Sequence, residues 1–223
     1  MKRRLLAITV LAAVGFAAAS FAQERFDNLV RDDMFRGFAG NEAAFKSAVS
    51  AIDEKLRENP DYAAALVWRG AARYFQAGRA FRAGDIDGGR SLATDAMADL
   101  DRASASQPNS IEILIPRAVV LLSIAKHQTN PQRARNLAVR AAAEFEAALA
   151  IQLPVFDRLG LHSRGEFLSG LAESWALAGD RGKAEGYLRR ILAELPNSPY
   201  AERATAKLAD WSDPRPVNCQ TCH

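Results

Sequence analysis

Two cysteines close the chain, Cys219 and Cys222, and His223 follows the second directly; cysteine occurs nowhere else in the sequence. Two thiols at this spacing can add to the two vinyl groups of a haem while the adjacent imidazole reaches the iron as its proximal ligand. The same pair also admits a disulfide, a redox dithiol or half of a metal site in an exported protein. The expected cofactor is haem c, with Cys219 and Cys222 as covalent anchors and His223 as the iron ligand. With the motif at the last residues of the sequence, any haem is expected to be covered by something other than residues after it. His162, His127, Met97 and Met34 are the candidates for a distal ligand elsewhere in the chain. A lone His or Met on a helix is more often an ordinary surface or core residue.

Other chemistry is sparse. Gly179-Asp-Arg-Gly-Lys183 has the wrong glycine spacing for a phosphate loop and no hydroxyl for a metal. There is no His-Glu-x-x-His and no Gly-x-Ser-x-Gly. Carboxylates recur on predicted helices, as at Glu144 and Glu146 or Asp95, Asp99 and Asp101, and read as solvated faces rather than acid–base pairs. The expectation is a protein that is not an enzyme.

The compartment is read from the other end. Lys2, Arg3 and Arg4 precede an apolar stretch from Leu5 to about Ala19, and Ser20-Phe21-Ala22 offers the small residues of a cleavage site. Residues 1–22 are expected to be a signal peptide, leaving a mature chain that begins at Gln23 and is periplasmic or secreted. No later stretch approaches the roughly 20 apolar residues of a membrane span, so no stable membrane insertion is expected after cleavage. Three of the 29 basic residues and none of the 26 acidic ones lie in the signal, so the remainder is balanced. That balance gives no basic surface for nucleic acid.

The elements that must carry the tail are helices. Ala, Leu, Arg and Glu dominate, and apolar residues recur at helical spacing. Helices are predicted over 25–37, 41–58, 61–78, 88–105, 109–127, 131–152, 161–178, 181–194 and 199–211, with no strand. Pro60, Pro108, Pro154 and Pro196 each follow an amphipathic segment and end it, since proline lacks the amide proton and disfavours a helical residue before it. Glycine-rich Gly78 to Gly89 and the stretch from Lys126 to Pro131 are expected to be loops, and loops are where exposed binding residues collect.

Aligned on the prolines, the segments repeat. Leu168, Leu171, Ala172, Trp175, Gly179, Ala184, Leu188 and Pro196 follow the order of large, small, aromatic and turn positions of the tetratricopeptide (TPR) pattern. Ala65, Leu66 and Gly70 after Asn59-Pro60-Asp61-Tyr62, then Ala96, Leu100, Ala103 and Pro108, and Ala141, Phe145 and Ala148, repeat parts of it. The chain thus resembles a degenerate TPR array over most of residues 41–211. It departs in period, because the prolines lie roughly 42 to 48 residues apart against roughly 34 in a standard repeat.

The resemblance implies an all-α fold of stacked antiparallel helix pairs, a TPR-like α-solenoid over residues 23–211, followed by an extended tail over 212–223 that carries the CxxCH motif. Trp175 is expected in the core. The resemblance also implies a surface made by the first helix of each pair that holds a protein partner. Tyr74, Glu112, Ile115, Val119, Glu166, Ser169 and Glu173 are its candidate residues here. Two functions follow: an exported, non-enzymatic interaction module with haem on its tail, supporting electron transfer or assembly of a redox complex, or a plain exported TPR-like adaptor whose terminal cysteines form a disulfide or bind a metal.

Overall fold

The computed structural model describes residues 25–217, and these fold as stacked helices. The order is α1 Phe26–Phe38, α2 Glu42–Glu58, α3 Ala63–Arg82, α4 Ile86–Ser106, α5 Ile111–Lys126, α6 Pro131–Gln152, a 3₁₀ turn Leu153–Arg158, α7 Leu161–Ala178, α8 Arg181–Glu194 and α9 Pro199–Ala209. No strand occurs among the described residues. Residues 1–22, expected to be a signal peptide, and the Cys-x-x-Cys-His motif lie outside them.

Local chemistry sets the helix starts. Asn41, Asp85, Asn130, Asp180 and Ser198 each turn a side-chain oxygen onto the backbone N–H three residues on, satisfying a donor the helix itself cannot. Pro131 and Pro199 occupy the first helical position, where the missing amide proton is no loss. Gly179 ends α7 with φ of 91°, a left-handed conformation that glycine adopts without a Cβ penalty. Pro60, Pro108 and Pro196 fall just beyond α2, α4 and α8, and Pro154 lies in the 3₁₀ turn that ends α6.

Consecutive helices pair as α1/α2, α3/α4, α5/α6 and α7/α8, and the first helices of neighbouring pairs touch along the stack from α1 through α3 and α5 to α7. Small residues allow the close approach. Ala96, Ala103, Ala141, Ala148 and Ala184 are fully enclosed, and Leu100, Phe145 and Leu188 fill the space beside them. Gly170 matters for the same reason: a Cβ there would lie 2.6 Å from the Phe145 ring.

Several expectations change. The predicted loop from Gly78 to Gly89 is largely helical, because α3 runs on to Arg82 and α4 begins at Ile86. Gly89 permits close packing there, since a Cβ on it would sit 2.4 Å from the Phe81 ring, and Gly84 supplies the left-handed turn between the two helices. Helix α5, in contrast, passes through Pro116 as the predicted helix over 109–127 requires. Trp175 is only partly buried. Its indole N–H donates to Glu146 Oε1 at 3.0 Å and Lys183 Nζ lies 3.6 Å from the ring centroid, so it bridges α6 and α8 at the rim of the core, with its polar edge satisfied.

The carboxylates divide into two kinds. Asp99 is enclosed, with Arg69 donating to both of its oxygens at 2.7 and 2.8 Å and Arg73 donating at 2.6 Å, which locks α3 to α4. Glu144 is paired with Arg117, whose side chain is itself buried and also reaches Asp101 at 3.1 Å. Burial pushes the Glu144 carboxyl above its ordinary range, against the pull of Arg117 and Arg140. These two are not solvated faces; they are internal ties between helices.

Candidate functional site at the end of the stack

The site is built from the segment that leads to the cysteines. After α9 the chain does not run outward but turns back. Lys207 on α9 donates to the carbonyl oxygens of Trp211 at 3.0 Å and Asp213 at 2.7 Å, and Arg181 lies over the Trp211 ring at 4.7 Å. Pro214 and Pro216 stiffen the return. At its end Val217 is buried, and its backbone N–H donates to Glu173 Oε1 at 2.6 Å. Glu173 also forms an ion pair with Lys126, the last residue of α5. One carboxylate therefore fixes the tail to α7 and α7 to α5, two residues before Cys219.

The fixed point lies on a continuous stripe. His162, Glu166 and Glu173 stand at helical spacing along one face of α7, and the N-terminal end of that stripe meets α9. Tyr200 lies across Gly165, where a Cβ would come within 2.3 Å of the ring, and this close approach places the phenol over the start of α7. The Tyr200 hydroxyl donates to Glu166 Oε1 at 2.8 Å and lies 3.0 Å from His162 Nδ1. The phenol has one proton, and with that proton on Glu166 the His162 bond runs the other way: Nδ1–H donates to the phenol oxygen. This arrangement places a hydrogen on His162 Nδ1. Its side chain is on the exposed surface.

The other candidate ligands sit elsewhere. His127, exposed at the end of α5, has Nδ1 2.8 Å from the Ser123 carbonyl and 3.2 Å from the Tyr74 hydroxyl, which faces it from α3. A carbonyl only accepts, so this ring too is protonated at Nδ1. Met34 is enclosed in the core and Met97 is packed against it. Among the described residues, no cluster of three or more His, Cys, Asp or Glu side chains is placed to hold a metal ion.

The remaining first-helix candidates do not form one uniform surface. Ser169 is fully buried and donates to the Glu166 carbonyl at 3.2 Å, while Val119 is exposed and Ile115 packs against the core. Tyr74 donates to the Ser123 carbonyl at 3.1 Å, and burial raises its phenol above the ordinary range. Glu112 pairs with Arg25 ahead of α1. Only Glu166 and Glu173 join the tail site. Sequence reasoning missed Lys207, Tyr200 and Val217, because a tyrosine and a lysine on a short amphipathic helix carry no signal of a chain folding back on them.

No helix among the described residues is long and apolar enough to cross a membrane. No protein-family model, curated protein or solved structure matches the chain.

Proposed function

We propose that this chain is an exported, non-enzymatic interaction protein of the TPR-like type that carries a covalent haem on its C-terminal tail and serves electron transfer or assembly within a redox complex. The observation that supports the reading is that the chain leading to the motif is pinned through Val217 to Glu173, two residues before Cys219. Cys219 and Cys222 would hold the cofactor, each thiol adding across a vinyl group with its hydrogen passing to the other vinyl carbon, and His223 would reach the iron. Bound there, haem supplies an iron that takes up and gives back one electron.

The protein's own contribution is positional. Stacked helix pairs offer side faces to a partner, as helical arrays do, and the bond from Val217 to Glu173 on α7 holds the segment that leads to the motif. The test is the intact mass and visible spectrum of full-length protein exported from a host with cytochrome c maturation. Colour that survives denaturation and acid extraction, and disappears when Cys219 and Cys222 are both replaced by Ala, supports the reading. Colourless protein from cells that mature another c-type cytochrome overturns it and leaves the adaptor with a terminal disulfide or metal site.

A further inference from the structure

We infer that the seat of Val217 on α7 is a docking site for a proline-containing segment of a partner protein, closed in cis by the chain's own residues 214–217. The site precedes the Cys-x-x-Cys-His motif, and the inference is independent of haem on the tail. The helices build this seat without help from the segment that fills it. Glu173 is ion-paired with Lys126 at the end of α5, so its carboxylate stays in place when the valine leaves. That carboxylate is 11% exposed, which makes the N–H it accepts from Val217 at 2.6 Å a strong and directional contact. Beside the bond, the valine side chain is enclosed and belongs to the same apolar cluster as the helix interiors. A main-chain hydrogen bond beside an enclosed place for one side chain is how a folded surface reads a non-helical chain.

The occupant is tied to this seat at one end. Trp211 and Asp213 give their carbonyl oxygens to Lys207 on α9, and Arg215 donates its backbone N–H and its guanidinium to Asp213 within the segment. None of these bonds reaches α7, so all of them survive when Val217 departs. Ser212, Pro214 and Arg215 are exposed. Among the described contacts, release therefore breaks the Val217 bond and withdraws its side chain, a local opening that leaves the helices folded. The occupant also defines the ligand. Pro214 and Pro216 have no amide proton and that of Arg215 is taken by Asp213, so of residues 214–217 Val217 is the one with an N–H to give the helices. A partner segment that fits presents a proline followed by a β-branched aliphatic residue, the proline restricting the chain and lowering the entropy lost on docking. It takes the seat only in molecules whose own segment has let go, so its apparent affinity is reduced by the closed fraction.

The test titrates a fluorescent peptide of residues 211–217, amidated at its C-terminus so that no carboxylate faces Glu173, with the full-length protein, and follows anisotropy. Val217→Ser weakens the chain's own hold on the seat and is expected to bind the peptide saturably, at least roughly tenfold more tightly than the wild type. Adding Glu173→Ala to that variant, or N-methylating the valine of the peptide, is expected to weaken binding about tenfold or more, since either removes the hydrogen bond to the carboxylate. Circular dichroism verifies that each variant keeps its helicity. If Val217→Ser does not, Pro214→Gly with Pro216→Gly, which loosens the segment and leaves the seat untouched, replaces it and is likewise expected to bind more tightly than the wild type. No binding by a folded loosened variant, equal binding by the wild type, or binding indifferent to Glu173→Ala overturns the inference. The colour of the protein does not enter this readout, so the haem reading stands or falls separately.

Discussion

Replacing Glu173 by Ala should release the tail without unfolding the stack. The carboxylate accepts the Val217 N–H at 2.6 Å and its side chain is 11% exposed, so the bond is charge-assisted and largely screened from water. A hydrogen bond to a charged group contributes about 1.5–3 kcal/mol. At tenfold per 1.4 kcal/mol, the local opening equilibrium of the tail should rise roughly 10- to 100-fold. Glu173→Gln keeps an acceptor but loses the charge and the ion pair with Lys126, so its effect should be smaller, roughly fivefold. Native-state hydrogen exchange of the Val217 amide and its neighbours reads this directly, because local opening is measured apart from global unfolding. Amides in α5 and α7 should keep their protection. Equal exchange at Val217 in wild type and E173A would refute the reasoning, as would accelerated exchange spread through the helices with none specific to the tail.

The internal ties give further tests. Asp99→Ala strips the counter-charge from Arg69 and Arg73, and should cost about 2–4 kcal/mol in urea unfolding, less than a fully buried pair because both guanidinium groups keep some exposure to solvent; a cost below about 0.5 kcal/mol would mean the lock is unimportant. For Glu144 the folded carboxyl is raised above its unfolded value of 4.5, so the folded state holds the proton more tightly and this group's contribution to stability declines as pH rises from about that value through the folded one. Urea midpoints of wild type and E144Q between pH 4 and 7 should show that decline in the wild type only. Gly165→Ala drives a methyl into the Tyr200 ring and should destabilise by about 1–3 kcal/mol, and hydrogen exchange should speed up first at the amides where α7 meets α9.

Much of the scaffold could be read from residue types acting locally. Asn41, Asp180 and Ser198 cap the helices they precede, Pro60, Pro108 and Pro196 follow the ones they end, and the enclosed alanines mark where helices cross. What escaped depends on partners far away in sequence. Asp99 looks like any acidic residue on an amphipathic helix until Arg69 and Arg73 are brought across from α3. Phe81 on Gly89 turns an apparent loop into a tight helical corner. The tail motif was legible as chemistry, but the fold-back of the segment before it was not, since the grips on that segment, Lys207 and Glu173, belong to helices whose own patterns are complete without it.

A stack of this kind has a mechanical weakness at its ends. Each pair is propped by the next, and α9 has α8 on one side and no following pair among the described residues. The folded-back segment from Trp211 to Val217 takes that missing neighbour's place, tied to α9 through Lys207 and to α7 through Glu173. The tail is then also the lid of the column. Whatever pulls on the terminal segment, cargo or partner, draws on the same bonds that stop the column fraying from that end, so a load on the tail is felt as a change in the order of α9.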